Sequence, residues 1–192
     1  MTEQTELQTT EQWPVRFTQS SIRTFFTLFT VFWWIGYPLT ALLSPVPPLN
    51  LLGVSLLIAA IVFDCIILYR HWWLLQGHGA RTTPGKAVGF GFIPFFCFYW
   101  WFIAYAGLAK DNNAYMDKAG IQRAKMSCGL ALAMCIVGII SSFLTWIPIV
   151  SIFIAIPEII IGFLFVLQMK NAILAIMNYR EKPAEQIAEE SH

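Results

Sequence analysis

The stretch RTTPGKAVGFGFIPFFCFYWWFIAYAGLAK, residues 81–110, decides the fold of this chain. No charged residue lies between Lys86 and Lys110, so 23 consecutive positions are uncharged. At about 1.5 Å of rise per residue, this length is nominally sufficient for a helix to cross about 30 Å of hydrocarbon. Pro94, however, lacks a backbone N–H, and its ring clashes with the preceding helical turn. The stretch therefore either crosses a bilayer, or enters it, turns near Pro94 and returns to the same side.

The composition indicates the class of protein. Hydrophobic residues make up 57% of the chain, charged residues 12%, and the mean hydropathy is +0.63. Soluble domains carry about 25% charged residues, so we predict an integral membrane protein. Residues 1–23 are expected to form a polar N-terminal tail and an interfacial segment, and residues 24–180 the membrane domain. Residues 181–192 are expected to form an acidic C-terminal tail, with the last helix stopped at Pro183.

The distribution of positive charge decides between the two interpretations of the central stretch. Four apolar segments are predicted to span the membrane, at about residues 24–43, 51–70, 128–145 and 149–169. If residues 87–108 also crossed, the 12 Lys and Arg residues would divide five to seven between the two sides. If this segment re-enters instead, all 12 lie on one side, and the opposite turns SPVPPLN and TWIP carry none.

Basic residues stay on the cytoplasmic side of a membrane protein, so the second arrangement is favoured. We therefore predict an all-α integral membrane protein with four transmembrane helices. A re-entrant or interfacial helical hairpin, residues 84–109 with its break at Pro94, is expected on the cytoplasmic side. The predicted location is a bacterial inner membrane, with both termini in the cytoplasm.

A resemblance supports the multi-span class. The block TTPGKAVGFGFIPFF follows the segment LYRHWW at the end of the second predicted span. Over about forty residues this region resembles uncharacterised bacterial families of small multi-span membrane proteins, which are domains of unknown function. Their shared pattern is serine-proline, alanine-valine and then Phe-Ile-Pro, with an Asn commonly three positions after that Pro, where this chain has Cys97. The resemblance implies a small multi-span membrane protein and no particular activity.

Asp64 and Glu158 are the only acidic residues inside the predicted spans. A charge at the bilayer centre costs several kcal/mol, so an intramembrane carboxylate is a candidate for function. Measured along the helices from Arg70 and Lys170, Asp64 lies about 9 Å and Glu158 about 18 Å below the cytoplasmic boundary, so no direct pairing is predicted. We interpret the two residues as an intramembrane polar path for protons or cations. The alternative is a structural, hydrogen-bonded acid, with Asp64 paired to Arg70 or Lys86.

A second candidate site is the basic cluster before and within the start of the hairpin: Arg70, His71, His78, Arg81 and Lys86. Thr83 followed by Pro84 predicts the start of a helix at the same place. Helix N-termini and juxtamembrane basic clusters attract phosphate groups, which predicts a site for an anion or a lipid headgroup. The alternative is ordinary enrichment of positive charge on the cytoplasmic face. The two histidines lack partners at metal-binding spacing, so no metal site is predicted.

The sequence is compatible with two alternative functions. The first is a homo-oligomeric, channel-like or membrane-perturbing component that uses the intramembrane carboxylates, with close helix contacts at small residues such as Gly129 and Gly138. The second is a non-conducting anchor or regulator whose basic face binds a cytosolic protein or an anionic lipid. The motifs GxSxG, HExxH, Walker A and CxxC do not occur in the sequence. We therefore expect no catalysis, no cofactor and no binding of nucleic acid.

Overall fold

The computed structural model of the protein describes residues 15–43, 47–121, 124–144 and 148–190. Regular structure within these ranges is entirely helical, which confirms the predicted all-α class. The α-helices are α1 (Gln19–Leu43), α2 (Pro47–Leu75), α3 (Pro84–Gly89), α4 (Phe96–Trp101), α5 (Leu108–Lys118), α6 (Cys128–Leu144) and α7 (Pro148–Glu190). The predicted N-terminal tail up to residue 14, and positions 44–46 and 145–147 of the two predicted turns, lie outside the described residues.

Two helical segments within the described ranges are long and apolar enough to cross a membrane, judged by length and composition. They are Asn50–Leu75, in α2, and Phe153–Glu181, in α7. The apolar helix α6 is shorter, at 17 residues. Helix α1 has 25 residues, but it begins with the polar sequence QSSIRT and does not meet the same criterion. The part of the chain that the structure describes thus contains two helices with the length and apolar character of transmembrane segments.

Helices α1 and α2 form an antiparallel pair, in which Ser21 lies beside Arg70 at one end and Thr40 beside Gly53 at the other. Glycine allows the two backbones to approach closely. A Cβ atom built on Gly53 would lie 2.6 Å from the backbone nitrogen of Thr40. Gly36 is also tight, because its Cβ would lie 3.1 Å from the backbone nitrogen of Leu57. No larger residue fits at position 53 without moving one helix away from the other.

Gly53→Ala is therefore expected to destabilise the protein by about 1–3 kcal/mol, the usual range for an overpacked contact. The measurement is the unfolding midpoint of the purified protein in detergent, followed by circular dichroism. Gly89→Ala is the matched control, because a Cβ at position 89 meets nothing within 4 Å. Equal midpoints for the two variants would contradict the close α1–α2 contact.

The C-terminal part of α7 is tied to the start of α1 and the end of α2. Arg180 Nη2 donates to the carbonyl oxygen of Leu74 at 2.6 Å, and Gln19 Nε2 donates to Asn178 Oδ1 at 2.7 Å. Helix α7 continues to Glu190, so the expectation that it stops at Pro183 is wrong. A proline inside a helix removes one backbone hydrogen bond and kinks the helix, and the residues on either side can remain helical.

The predicted hairpin region consists of short helical pieces. Pro84 is the first residue of α3, as its sequence predicts, although the Thr83 side chain makes no capping hydrogen bond. A 3-10 turn, Phe90–Phe92, follows α3, and α4 begins two residues after Pro94. A π-helical turn, Phe102–Gly107, then connects α4 to α5. Helix α5 lies in a polar segment for which no helix is predicted from the sequence.

The chain reverses direction around Pro94, since residues on either side of it contact each other. Trp100 Nε1 donates to the carbonyl oxygen of Ala87 at 3.1 Å. The rings of Phe90 and Trp100 meet edge to face, with centroids 4.8 Å apart. The turn requires a positive φ of 63° at Phe95, a conformation that L residues rarely adopt. The two arms are thus held together by the Trp100–Ala87 hydrogen bond, by a backbone hydrogen bond of 2.9 Å from Cys97 N–H to the carbonyl oxygen of Ile93, and by aromatic packing.

The base of the hairpin is anchored to the rest of the protein, and its tip is not covered. Trp72 Nε1, from α2, donates to the carbonyl oxygen of Ala104 at 3.0 Å, and Trp101 packs within 3.5 Å of the position that a Cβ of Gly138 would occupy. Large apolar side chains are exposed around the turn: Phe92, Ile93, Phe95, Phe96 and Tyr99. Phe95, with 86% of its surface exposed, is the extreme case.

Candidate functional site

A cavity of about 350 Å³ lies between the hairpin and the helices α1, α2, α6 and α7. Asp64, from α2, and Glu158, from α7, both line it. The sequence predicts that both belong to one polar path and, because their depths differ, that they do not pair directly. The hairpin closes part of the wall through Ala87, Gly91 and Tyr105. The two carboxyls identified in the sequence are therefore brought to the same cavity by α2 and α7.

The two oxygens of Asp64 have different environments. Oδ2 accepts a hydrogen bond of 2.8 Å from the hydroxyl of Tyr105, which belongs to the π-helical turn after α4. Oδ1 is shielded from the surface and has no hydrogen-bond partner in the part of the chain that the structure describes. No ion pair joins Asp64 to Arg70 or Lys86 among the described residues, so that alternative is wrong. Asp64, a residue of the cavity wall, thus has one hydrogen-bonded oxygen and one unpartnered oxygen.

Glu158 is held by hydroxyl groups from two other helices. Its Oε2 accepts a hydrogen bond of 2.9 Å from the hydroxyl of Tyr37, on α1, and one of 2.5 Å from Ser141 Oγ, on α6. Because Glu158 belongs to α7, these two bonds connect three helices at one carboxyl oxygen. Hydroxyl groups both donate and accept hydrogen bonds, so they can hold a carboxyl in either protonation state.

The chemistry of the cavity wall is anionic, aromatic and sulfur-containing. The described lining residues include Cys65 and Cys135 but no Lys, Arg or His. Carboxyl and hydroxyl groups exchange protons readily, and carboxylate oxygens also bind cations. Within the described residues, no group of three or more His, Cys, Asp or Glu side chains is suited to a metal ion. The arrangement is therefore able to bind a proton or a cation at either of two carboxyls.

The basic residues predicted to bind an anion are largely engaged within the chain. Arg70 Nη1 donates to Ser21 Oγ at 2.7 Å. Arg81 forms a two-pronged ion pair with Asp111, with Nε lying 2.9 Å from Oδ2. This geometry occupies the donors with which a guanidinium would hold a phosphate. Lys86 is exposed, so it alone of these three offers its charge freely.

The two histidines of that cluster lie in different environments. His71 is fully buried, and its Nε2 shares a hydrogen bond of 2.9 Å with Asn112 Oδ1. Burial lowers the pKa of His78, and the positive charges of Arg180 and Lys118 lower it further. An imidazole with a lowered pKa is neutral at neutral pH, so His78 adds no charge to an anion site. The structure thus does not bring the five predicted residues together around one ligand position.

Asn112→Leu is expected to destabilise the protein by about 1–3 kcal/mol, because it removes the hydrogen-bond partner of a buried imidazole. The Nδ1 atom of His71 already has no partner among the described residues. The measurement is the unfolding midpoint in detergent, with Asn171→Leu as the control on an exposed position. The double variant His71→Leu, Asn112→Leu should recover part of the loss, since it leaves neither polar group unpaired. A double variant less stable than Asn112→Leu would contradict this explanation.

Three hydroxyl residues of the site are not predicted from the sequence: Tyr37, Tyr105 and Ser141. Each lies in an apolar segment, where a polar hydroxyl needs a hydrogen-bond partner. Tyr37 also precedes Pro38 within α1. These features mark each residue as noteworthy, but the carboxyl that each one contacts lies 17 to 121 positions away in the sequence.

No family model, no curated protein and no solved structure matches this chain. The resemblance to uncharacterised multi-span families therefore stays a prediction.

Proposed function

We propose that this chain is a membrane protein that conducts protons or small cations in a channel-like manner, with Asp64 and Glu158 as the binding groups of the path. The observation that carries the proposal is the shared cavity: two carboxyls from distant parts of the sequence line one space within the bundle. A carboxyl group inside a membrane domain costs several kcal/mol, and such residues commonly mark functional sites. Asp64 Oδ1 is not satisfied within the described chain, which favours a use.

We further propose that α1, α2, α6 and α7 cross the membrane and that the hairpin enters it from the cytoplasmic side without crossing. The apolar length of α2 and α7, the one-sided distribution of Lys and Arg and the exposed apolar tip of the hairpin support this arrangement. Irregular backbone within a bilayer needs contact with protein or water. The packing of Trp101 against Gly138 supplies such a contact on one arm.

Association of several copies is part of the same proposal. Gly138 already packs against Trp101 of its own chain, whereas a Cβ at Gly129 would meet only Ser127, so Gly129 has space for a second copy. The cavity lies within one chain, so conduction through it does not depend on the number of copies. The other candidate function, an anchor with a basic binding face, would depend on exposed lysines such as Lys86, because Arg81 is occupied by Asp111.

The test is flux in liposomes that contain the purified protein, followed with a pH-sensitive dye and, separately, with a potassium gradient. Glu158→Gln keeps the size of the side chain and removes its ionisable group. We expect at least one of the two fluxes to fall by about tenfold, which corresponds to about 1.4 kcal/mol in the barrier. The oligomer size in detergent should stay unchanged. Fluxes equal to those of the unaltered protein would refute the proposal.

A further inference from the structure

Aromatic side chains form part of the cavity wall beside the two carboxyls. Five aromatic side chains line it: Phe29, Trp33, Phe92, Trp101 and Tyr105. They come from α1 and from both arms of the hairpin. Aromatic faces attract organic cations, because the ring quadrupole places negative potential above the ring. With two carboxyls and no basic residue in the described lining, the cavity is electrostatically suited to a positively charged guest.

Two polar atoms near this space are without partners. Asp64 Oδ1 and Trp33 Nε1 are both shielded from the surface and make no hydrogen bond within the described residues. Buried polar groups are nearly always paired, so an unpaired acceptor on a residue of the cavity wall indicates a position where a hydrogen-bond donor is missing. The acceptor is a carboxyl oxygen, and a hydrogen on a positively charged nitrogen is the donor that binds such an oxygen most strongly.

The size of the cavity is that of a small organic molecule. Ligand pockets commonly measure about 300–1,000 Å³, and the volume of about 350 Å³ lies at the lower end of this range. At about 30 Å³ for each water-sized group, the space holds roughly ten non-hydrogen atoms. A bare metal ion would leave most of it empty, whereas a small amine with a ring or a short chain would fill it.

We propose that the cavity binds a protonated organic amine with a compact apolar body, with the ammonium group at Asp64 and the apolar part against the aromatic walls. Glu158, whose Oε2 already accepts two hydrogen bonds, is the second carboxyl of the cavity wall. The inference rests on the proposed function in one respect: both assign cation binding to these carboxyls. It goes beyond that function by naming a ligand class.

The test is calorimetric titration of the purified protein in detergent with three probes that share a phenylethyl body, of which the trimethylated cation is larger by three carbon atoms. The probes are 2-phenylethylamine, its N-trimethylated form and the neutral 2-phenylethanol, each corrected for titration into detergent alone. We expect the amine to bind at least about tenfold more tightly than the alcohol, a difference of about 1.4 kcal/mol. The trimethylated cation should bind more weakly than the amine, because it has no hydrogen to donate to Asp64 Oδ1. Asp64→Asn should remove the preference for the amine, and Asp117→Asn, at an exposed position, should leave it unchanged.

Equal binding of amine and alcohol, or no binding of any probe, would overturn the inference. A preference that survives in Asp64→Asn would also overturn it, because the charge would then be recognised elsewhere. These results are distinguishable from failure of the proposed function. If flux depends on Glu158 but no amine binds, the conduction proposal is retained and the amine-binding proposal is refuted. If the amine binds selectively but no flux is measured, the amine-binding proposal is retained and the conduction proposal is refuted.

Discussion

Replacing Asp64 with Asn is expected to reduce flux through liposome-reconstituted protein by about tenfold or more, or about 1.4 kcal/mol in the barrier. The two side chains are similar in size and shape, so the cavity keeps its volume. The amide, however, neither carries a negative charge nor takes up a proton. Asp64 is the more informative of the two carboxyls, because its Oδ1 makes no hydrogen bond within the described chain, whereas Glu158 Oε2 accepts two.

Tyr105→Phe is expected to have a smaller effect than Asp64→Asn, a reduction of a few-fold. It removes the hydrogen bond of 2.8 Å to Asp64 Oδ2 but leaves the carboxyl itself. A hydrogen bond of this kind contributes about 0.5–1.5 kcal/mol.

The matched control for Asp64→Asn is Asp117→Asn, in which an exposed carboxyl paired with Lys125 is neutralised in the same way. Flux in Asp64→Asn equal to that in Asp117→Asn would remove Asp64 from the path.

The two long apolar helices of this fold, α2 and α7, follow directly from the sequence, because apolar segments of this length are typical of helices that could cross a membrane. The start of α3 at Pro84 and the reversal of the chain at Pro94 are also local effects of proline, and both lie where the sequence places them. Helix α5 is different. Its buried residues, Leu108, Ala109, Asn112, Tyr115 and Met116, do share one face at helical spacing, but the segment is short and polar overall, and burial of that face stabilises the helix.

The site could be predicted only in part, because it also depends on contacts between residues that are distant in the sequence. An acidic residue in an apolar run is visible in the sequence, so Asp64 and Glu158 can be identified without a structure. Which hydroxyl meets which carboxyl depends on how distant helices pack. The basic cluster shows the opposite error. Arg81 and His71 are close in sequence and are therefore predicted to share one site. In the structure Arg81 pairs with Asp111 at the surface, whereas His71 is buried and bonded to Asn112.

A cysteine at position 114 is expected to react with a membrane-impermeant maleimide only when the reagent reaches the cytoplasmic side. Ala114 is exposed on α5, immediately after the hairpin, whereas Asn112 is fully buried and unsuitable for labelling. If residues 84–109 enter the membrane and return, position 114 lies in the cytoplasm. If that segment crosses, position 114 lies on the opposite side. The expected difference between intact and permeabilised cells is therefore nearly all or none.

Two further positions calibrate the labelling. Thr83→Cys and Pro48→Cys, both at exposed positions, are separated by one predicted span in either arrangement; in the proposed topology Thr83 is cytoplasmic and Pro48 is on the opposite side. The unaltered protein, with its four native cysteines, gives the background. We expect Ala114→Cys to behave like Thr83→Cys. If it behaves like Pro48→Cys, the hairpin crosses the bilayer, the Lys and Arg residues are divided between both sides, and the exposed tip around Phe95 is no longer the deepest point of a re-entrant loop.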